Sequence, residues 1–71
     1  MPTMRDLRIE AGLTTVELST KSRVSLSSIN RMEREKKPVK RLIATRVLHA
    51  LSQELGRTIT IDDVERLRLI D

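Results

Sequence analysis

The chain has 71 residues, no Cys, Phe, Tyr or Trp, and a formal net charge of +4 at pH 7. Its length predicts a single domain with a small core of leucine, isoleucine, valine and methionine. The missing cysteines exclude disulfides and thiolate metal sites, and the missing aromatic residues exclude the base-stacking platforms of many single-strand and RNA binders.

The first predicted helix begins after Thr3. Thr3 and Asp6 have the spacing of a capping box, in which each side chain bonds the other residue's backbone amide. Met4, Leu7 and Ala11 follow at helical spacing and are expected to face the core. The glycine after Ala11 is typical of a helix C-terminus.

The stretch 14–34 predicts two short helices joined by a tight turn. Thr14 and Glu17 repeat the capping-box spacing and fix the start of the first helix. Ser25 is a good N-cap for the second, which is expected to begin near Leu26 and to carry apolar residues at helical spacing. Small hydroxyl and basic residues fall on its outward face.

A charged connector, residues 33–41, leads into the longest predicted helix, residues 39–55. Pro38 is well placed to open this helix, and Gly56 is expected to end it. Its apolar positions predict a central core helix. They are Val39, Ile43, Val47, Leu51 and Leu55 on one line, with Leu42 and Leu48 beside it. His49 lies off that line with no second ligand at metal spacing, which favours a solvent-facing histidine.

The C-terminal residues predict a short extended segment at 58–61 and a fifth helix at 62–70. Thr60 and Asp63 make a third capping-box pair, and apolar residues recur at helical spacing after them. These residues are more apolar than a small core needs. They either complete the core of the monomer or, with residues 58–70 as the interface, form a homodimer.

The positive charge is concentrated in one block. Residues 21–46 hold nine basic and two acidic side chains, a net charge of +7, whereas residues 1–20 carry −1 and residues 47–71 carry −2. A charge run alone usually means a solvated surface, but this block contains the predicted second short helix. The coincidence indicates a face that binds a polyanion.

Four residues of the stretch 14–34 match the pattern of a known protein family. They are Leu18, Val24, Ile29 and Glu33. Here the sequence resembles the helix-turn-helix of the Cro and repressor (Xre-type) DNA-binding family. The resemblance implies an all-α, compact five-helix bundle in which residues 1–71 form one helix-turn-helix domain with its core at 4–55. It also implies that helix 26–34 lies in the major groove of DNA.

Three residues depart from the family pattern. Ser19 replaces a usual alanine, Glu35 replaces a frequent glycine, and Arg23 replaces a glycine, so Arg23 must adopt a left-handed conformation at a cost of about 1–2 kcal/mol. The resemblance also implies an ion pair between Arg8 and Glu33 that ties the first helix to the reading helix. An exposed Arg8 is the plain alternative.

The resemblance implies which side chains contact DNA. Leu26, Ser27 and Arg31 are expected at base edges, with Ser28 and Asn30 as neighbours. Arg31 would donate two bonds to guanine and Leu26 would contact a thymine methyl group. The expected phosphate contacts are Thr15, Ser25, Arg34, Lys36, Lys37 and Lys40.

The sequence therefore predicts a sequence-specific transcription regulator of double-stranded DNA, expected to be a repressor and a homodimer. The alternative is a partner-binding module, such as the antitoxin of a toxin–antitoxin pair. One histidine and two isolated glycines do not predict an enzyme, a metal site or a cofactor site. No apolar run is long enough for a signal peptide or a membrane span, which makes a cytoplasmic location the default expectation.

Overall fold

The computed structural model describes residues 1–70, which form four α-helices and a two-stranded parallel sheet. The helices are α1 (Met4–Glu10), α2 (Thr15–Ser22), α3 (Leu26–Asn30) and α4 (Arg41–Leu55). The other elements are a π-helical turn (Arg31–Glu35), β1 (Val39–Lys40), a 3₁₀ turn (Ile61–Asp63) and β2 (Leu69–Ile70). The predicted helical fold class is confirmed. No helix within residues 1–70 has the length and hydropathy needed to cross a membrane.

Local capping decides where the first two helices begin. The amide of Asp6 donates to the Thr3 hydroxyl (3.2 Å), and the amide of Thr3 donates to the Asp6 carboxylate (3.0 Å). Thr14 and Glu17 form the same reciprocal pair at the start of α2. Each box satisfies amides that a helix N-terminus leaves without a partner. Both predicted starts are confirmed.

The core is built around α4, as its apolar stripe predicts. Val47 and Leu51 are fully buried, and Leu7 of α1, Leu18 of α2 and Ile29 of α3 are the other large side chains with no exposed surface. Leu42 is an exception. It was expected beside the stripe but is 60% exposed. Five residues separate it from Val47, which places it about 140° around the helix and away from the core.

The helix α4 begins two residues later than predicted. Val39 and Lys40 form β1 instead, and they pair in parallel with Leu69 and Ile70. The buried Val39 donates its amide to the carbonyl of Arg68 (3.0 Å). Pro38 therefore precedes a strand and does not open the helix.

The predicted fifth helix at 62–70 is wrong. The Thr60–Asp63 capping box forms, but it supports only the 3₁₀ turn. Val64 then becomes extended and buries its side chain, and Arg66 reverses the chain with a φ of 62°. This reversal brings β2 back to β1. The backbone groups of β2 therefore bond to β1 and not to one another, as they would in a continued helix.

The segment 58–61 is not a strand. Ile59 is buried, and its amide donates to the Ser52 hydroxyl at the end of α4 (2.9 Å). Ile61 already belongs to the 3₁₀ turn. Alternation of polar and apolar residues here comes from two separate apolar contacts with the core rather than from sheet pairing.

Replacing Arg23 by glycine should stabilise the protein. Arg23 ends α2 with φ 57° and ψ 35°, the left-handed conformation that the family resemblance implies. Glycine removes a strain of about 1–2 kcal/mol but adds unfolded-state entropy, so we expect a net gain of roughly 0.5–1 kcal/mol in the free energy of unfolding. Urea denaturation measures it. The matched control is Arg46→Gly, an exposed arginine inside α4, which should lose about 1 kcal/mol. A loss of stability for Arg23→Gly would contradict the strain argument.

Candidate nucleic-acid interface

The start of α2 is held rigidly. The Glu17 amide donates to the Thr14 hydroxyl (3.0 Å), and the Thr14 amide donates to the Glu17 carboxylate (2.9 Å). The bond from the Thr14 amide is the main cause that holds the pKa of Glu17 below its usual 4.5. The side chain of Thr15 follows at the first position of the helix and is half-buried.

The turn between α2 and α3 is closed by hydrogen bonds on both sides. The Ser19 hydroxyl donates to the carbonyl of Val24 (2.6 Å), and the Val24 amide donates to the carbonyl of Ser19 (3.3 Å). Sequence reasoning missed the first of these bonds, because Ser19 stood there only as a substitute for alanine. A hydroxyl five residues before the apolar residue of the turn is the signal that was present.

The helix α3 exposes its first turn. Ser25 caps it, since its hydroxyl accepts the amide of Ser28 (3.2 Å) and also donates to the Ser28 hydroxyl (3.0 Å). Leu26 is 40% exposed and Ser27 is exposed as well, whereas Ile29 is fully buried. Asn30 is half-buried. The start of α3 therefore presents an apolar side chain and a free-standing hydroxyl next to each other.

A buried ion pair joins α1 to the end of this helix. Arg8 Nε lies 3.0 and 2.9 Å from the two carboxylate oxygens of Glu33, and its Nη2 lies 2.9 Å from Oε1. Arg8 Nη1 donates to the carbonyl of Leu13 (2.9 Å). The side chains of Glu33 and Arg8 are 1% and 14% exposed. The pair implied by the resemblance is thus present, and it ties α1 to the helical turn that follows α3.

Residues 4–61 match a family model described as Helix-turn-helix, which covers well over half of the chain. The chain belongs to the Xre/Cro-type helix-turn-helix family. This family is one of DNA-binding transcription regulators and not a family of enzymes. No curated protein and no solved structure matches the chain.

In this helix-turn-helix protein four exposed basic side chains lie within residues 34–40, a segment that we call the basic connector. Its exposed cations are Arg34, Lys36, Lys37 and Lys40. The ammonium group of Lys37 lies 3.1 Å from a carboxylate oxygen of Glu35, with both side chains largely in solvent. Such an exposed pair stabilises little. Lys37 can therefore exchange its carboxylate partner for a phosphate at small cost.

The helix-turn-helix protein holds Arg31 apart from the other predicted base contacts. Arg31 is half-buried, and its Nη2 donates to the carbonyl of Pro38 (3.0 Å). Leu26 and Ser27 lie at the exposed start of α3, whereas the guanidinium of Arg31 is turned toward the basic connector. Within residues 1–70, no three His, Asp or Glu side chains lie close enough to hold a metal ion.

Proposed function

We propose that this helix-turn-helix protein binds a specific sequence of double-stranded DNA and represses transcription by occupying it. The carrying observation is the start of α3, where Leu26 and Ser27 are exposed while the same helix buries Ile29 fully in the core. A helix anchored on one face with small side chains on the other suits the major groove. Repression follows from occupancy, since a protein in the groove excludes other proteins from that site.

The charges support duplex DNA as the partner. The basic connector follows the reading helix directly, where cations would contact phosphates beside the groove. The hydroxyls of Thr15 and Ser25, near the starts of α2 and α3, are proposed as further phosphate contacts. The chain has no Phe, Tyr or Trp on which single-stranded bases would stack.

Each proposed base contact follows from the chemistry of its side chain. Leu26 offers an apolar surface to a thymine methyl group, and the Ser27 hydroxyl donates or accepts a bond at several base edges. The side-chain amide of Asn30 can pair with adenine. Ser28 lies between Ser27 and Asn30, and its hydroxyl accepts a hydrogen bond from the Ser25 hydroxyl. Arg31 differs from this set, because its guanidinium already donates to the carbonyl of Pro38.

We further propose a homodimer that reads two half-sites one helical turn apart. Its interface would include the C-terminal strand β2 in place of the expected helix. Ile70 pairs with Lys40 across the ladder and is 49% exposed, and the exposed Leu42 follows two residues after Lys40. Burial against a second copy would remove these two exposed apolar side chains from water.

The double variant Leu26→Ala/Ser27→Ala should lose sequence preference. We expect its affinity for the best duplex to fall by about 1–3 kcal/mol, with little change on a scrambled duplex. Lys37→Ala is the contrasting variant, because a phosphate contact should weaken binding to both duplexes alike. Fluorescence anisotropy on both duplexes measures the difference.

Equal losses on both duplexes for the double variant would contradict base reading by α3. The alternative of an antitoxin-like module makes a different prediction. It requires a protein partner that co-purifies in stoichiometric amount, and it does not require the purified protein to protect a specific DNA segment from cleavage. A footprint obtained with the purified protein alone favours the regulator.

A further inference from the structure

We propose that Arg31 is a positioning residue that holds the basic connector in place for phosphate contact, and not a reader of bases. The inference rests on the proposed function, because it assigns the connector to the DNA interface. It starts from the bond between Arg31 Nη2 and the carbonyl of Pro38 (3.0 Å). Moving the guanidinium away from Pro38 to a base edge would break this charge-assisted bond.

The backbone of Arg31 holds the same segment. Its carbonyl oxygen accepts the amide of Lys36, which ends the π-helical turn, and also the amide of Lys37 (3.0 Å). One residue thus bonds three successive residues of the connector, two through its carbonyl and Pro38 through its guanidinium. Arg31 therefore holds the backbone of the connector from Lys36 to Pro38.

The connector needs such a clamp because its backbone is strained at one end. Lys36 has a φ of 52°, a conformation that costs a non-glycine residue about 1–2 kcal/mol. At the other end, the Val39 amide donates to the carbonyl of Arg68 in the C-terminal segment (3.0 Å). Between these points the guanidinium of Arg31 bonds the backbone of the connector at the carbonyl of Pro38. Removing the guanidinium should therefore loosen Lys36 and Lys37 while β1 stays paired.

The test measures the clamp first without DNA. In Arg31→Ala, we expect the amide hydrogens of Lys36 and Lys37 to exchange about five- to tenfold faster, the size expected for the loss of one ordinary hydrogen bond from a half-buried side chain. The Leu18 amide, which donates to Thr14 at the other end of the motif, should keep its rate. Arg34→Ala is the matched control, since it removes an exposed cation of the same π-helical turn and leaves the bond from Arg31 to Pro38 in place.

DNA binding by the same variants completes the test. Arg31→Ala should weaken binding to the matched and to the scrambled duplex by the same factor, about five- to tenfold. It should leave the preferred sequence unchanged. Arg34→Ala should weaken both duplexes but leave the exchange of Lys36 and Lys37 as in the wild type. Faster exchange of these two amides therefore distinguishes Arg31→Ala from the loss of one positive charge alone.

Two results would overturn the proposal. A larger loss on the matched duplex, together with unchanged exchange, would make Arg31 a base reader. Unchanged exchange with unchanged affinity would make the Pro38 bond irrelevant. If the wild type binds no DNA, the proposed function fails, but the exchange rates still decide whether Arg31 holds the connector.

Discussion

Replacing Arg8 by alanine should lower the free energy of unfolding by about 3–5 kcal/mol, because it leaves Glu33 charged and buried without its partner. The side chain of Glu33 is 1% exposed, and Arg8 also holds the carbonyl of Leu13. The total free energy of unfolding of a small domain is about 5–15 kcal/mol. Urea denaturation should therefore show a large drop in the midpoint, and at physiological temperature part of the variant should be unfolded.

Two controls separate the buried charge from the loss of a long side chain. Arg5→Ala removes an exposed arginine from the same helix and should change stability by about 0.5 kcal/mol or less. Arg8→Ala/Glu33→Leu removes both charges and should be more stable than Arg8→Ala alone. If the double variant is less stable than the single one, Glu33 does not depend on Arg8 for its burial.

DNA affinity should fall steeply with salt. Four cations of the basic connector, Arg34, Lys36, Lys37 and Lys40, give eight phosphate contacts in the proposed homodimer. The slope of log K against log salt should then be about −7, which means a loss of about 10⁴-fold between about 50 and 200 mM. A monomer with the same contacts should have a slope of about −4 and lose only about 10²-fold. Titrations at four salt concentrations measure the slope.

Two matched lysines locate the source of this slope. Lys37 and Lys21 are both exposed, and each is paired with a glutamate, at 3.1 and 3.0 Å. Lys37→Ala should flatten the slope by about one unit per protomer, whereas Lys21→Ala at the end of α2 should leave it unchanged. The hydrodynamic mass of the free protein shows which slope applies. Equal effects of the two substitutions would place the DNA outside the basic connector.

Local signals in the sequence were sufficient to predict the helix-turn-helix. The capping boxes act over three residues, so Thr14 and Glu17 determine the start of α2 whatever surrounds them. The strained conformation of Arg23 is equally local. The buried Val47, Leu48 and Leu51 of α4 follow from its own periodicity, whereas Leu42 is exposed and Val39 lies in β1.

The C-terminal segment could not be predicted in this way. Val64, Leu67 and Ile70 have helical spacing, but Val64 is buried and Ile70 is 49% exposed. The deciding interaction is the pairing of Val39 with Leu69, residues that are far apart in the chain. Nothing in either segment alone indicates that pairing.

Only part of the candidate site could be predicted, because contacts between distant parts of the chain place the other part. Ser25, Leu26 and Ser27 follow from the helix start and lie where expected. The side chain of Arg31 depends on where the connector runs after the π-helical turn, and this path depends on the pairing of β1 with β2. Long-range contacts therefore decide where the guanidinium at this position lies.

Selection of bound duplexes from a random pool tests most directly whether the exposed start of α3 reads bases. The selection is run at low and at physiological salt, with the wild type and with Leu26→Ala/Ser27→Ala. We predict that the wild type converges on one sequence at both salt concentrations and that the double variant loses or changes preference within each half-site. No convergence by the wild type, or the same sequence selected by both proteins, would contradict the account.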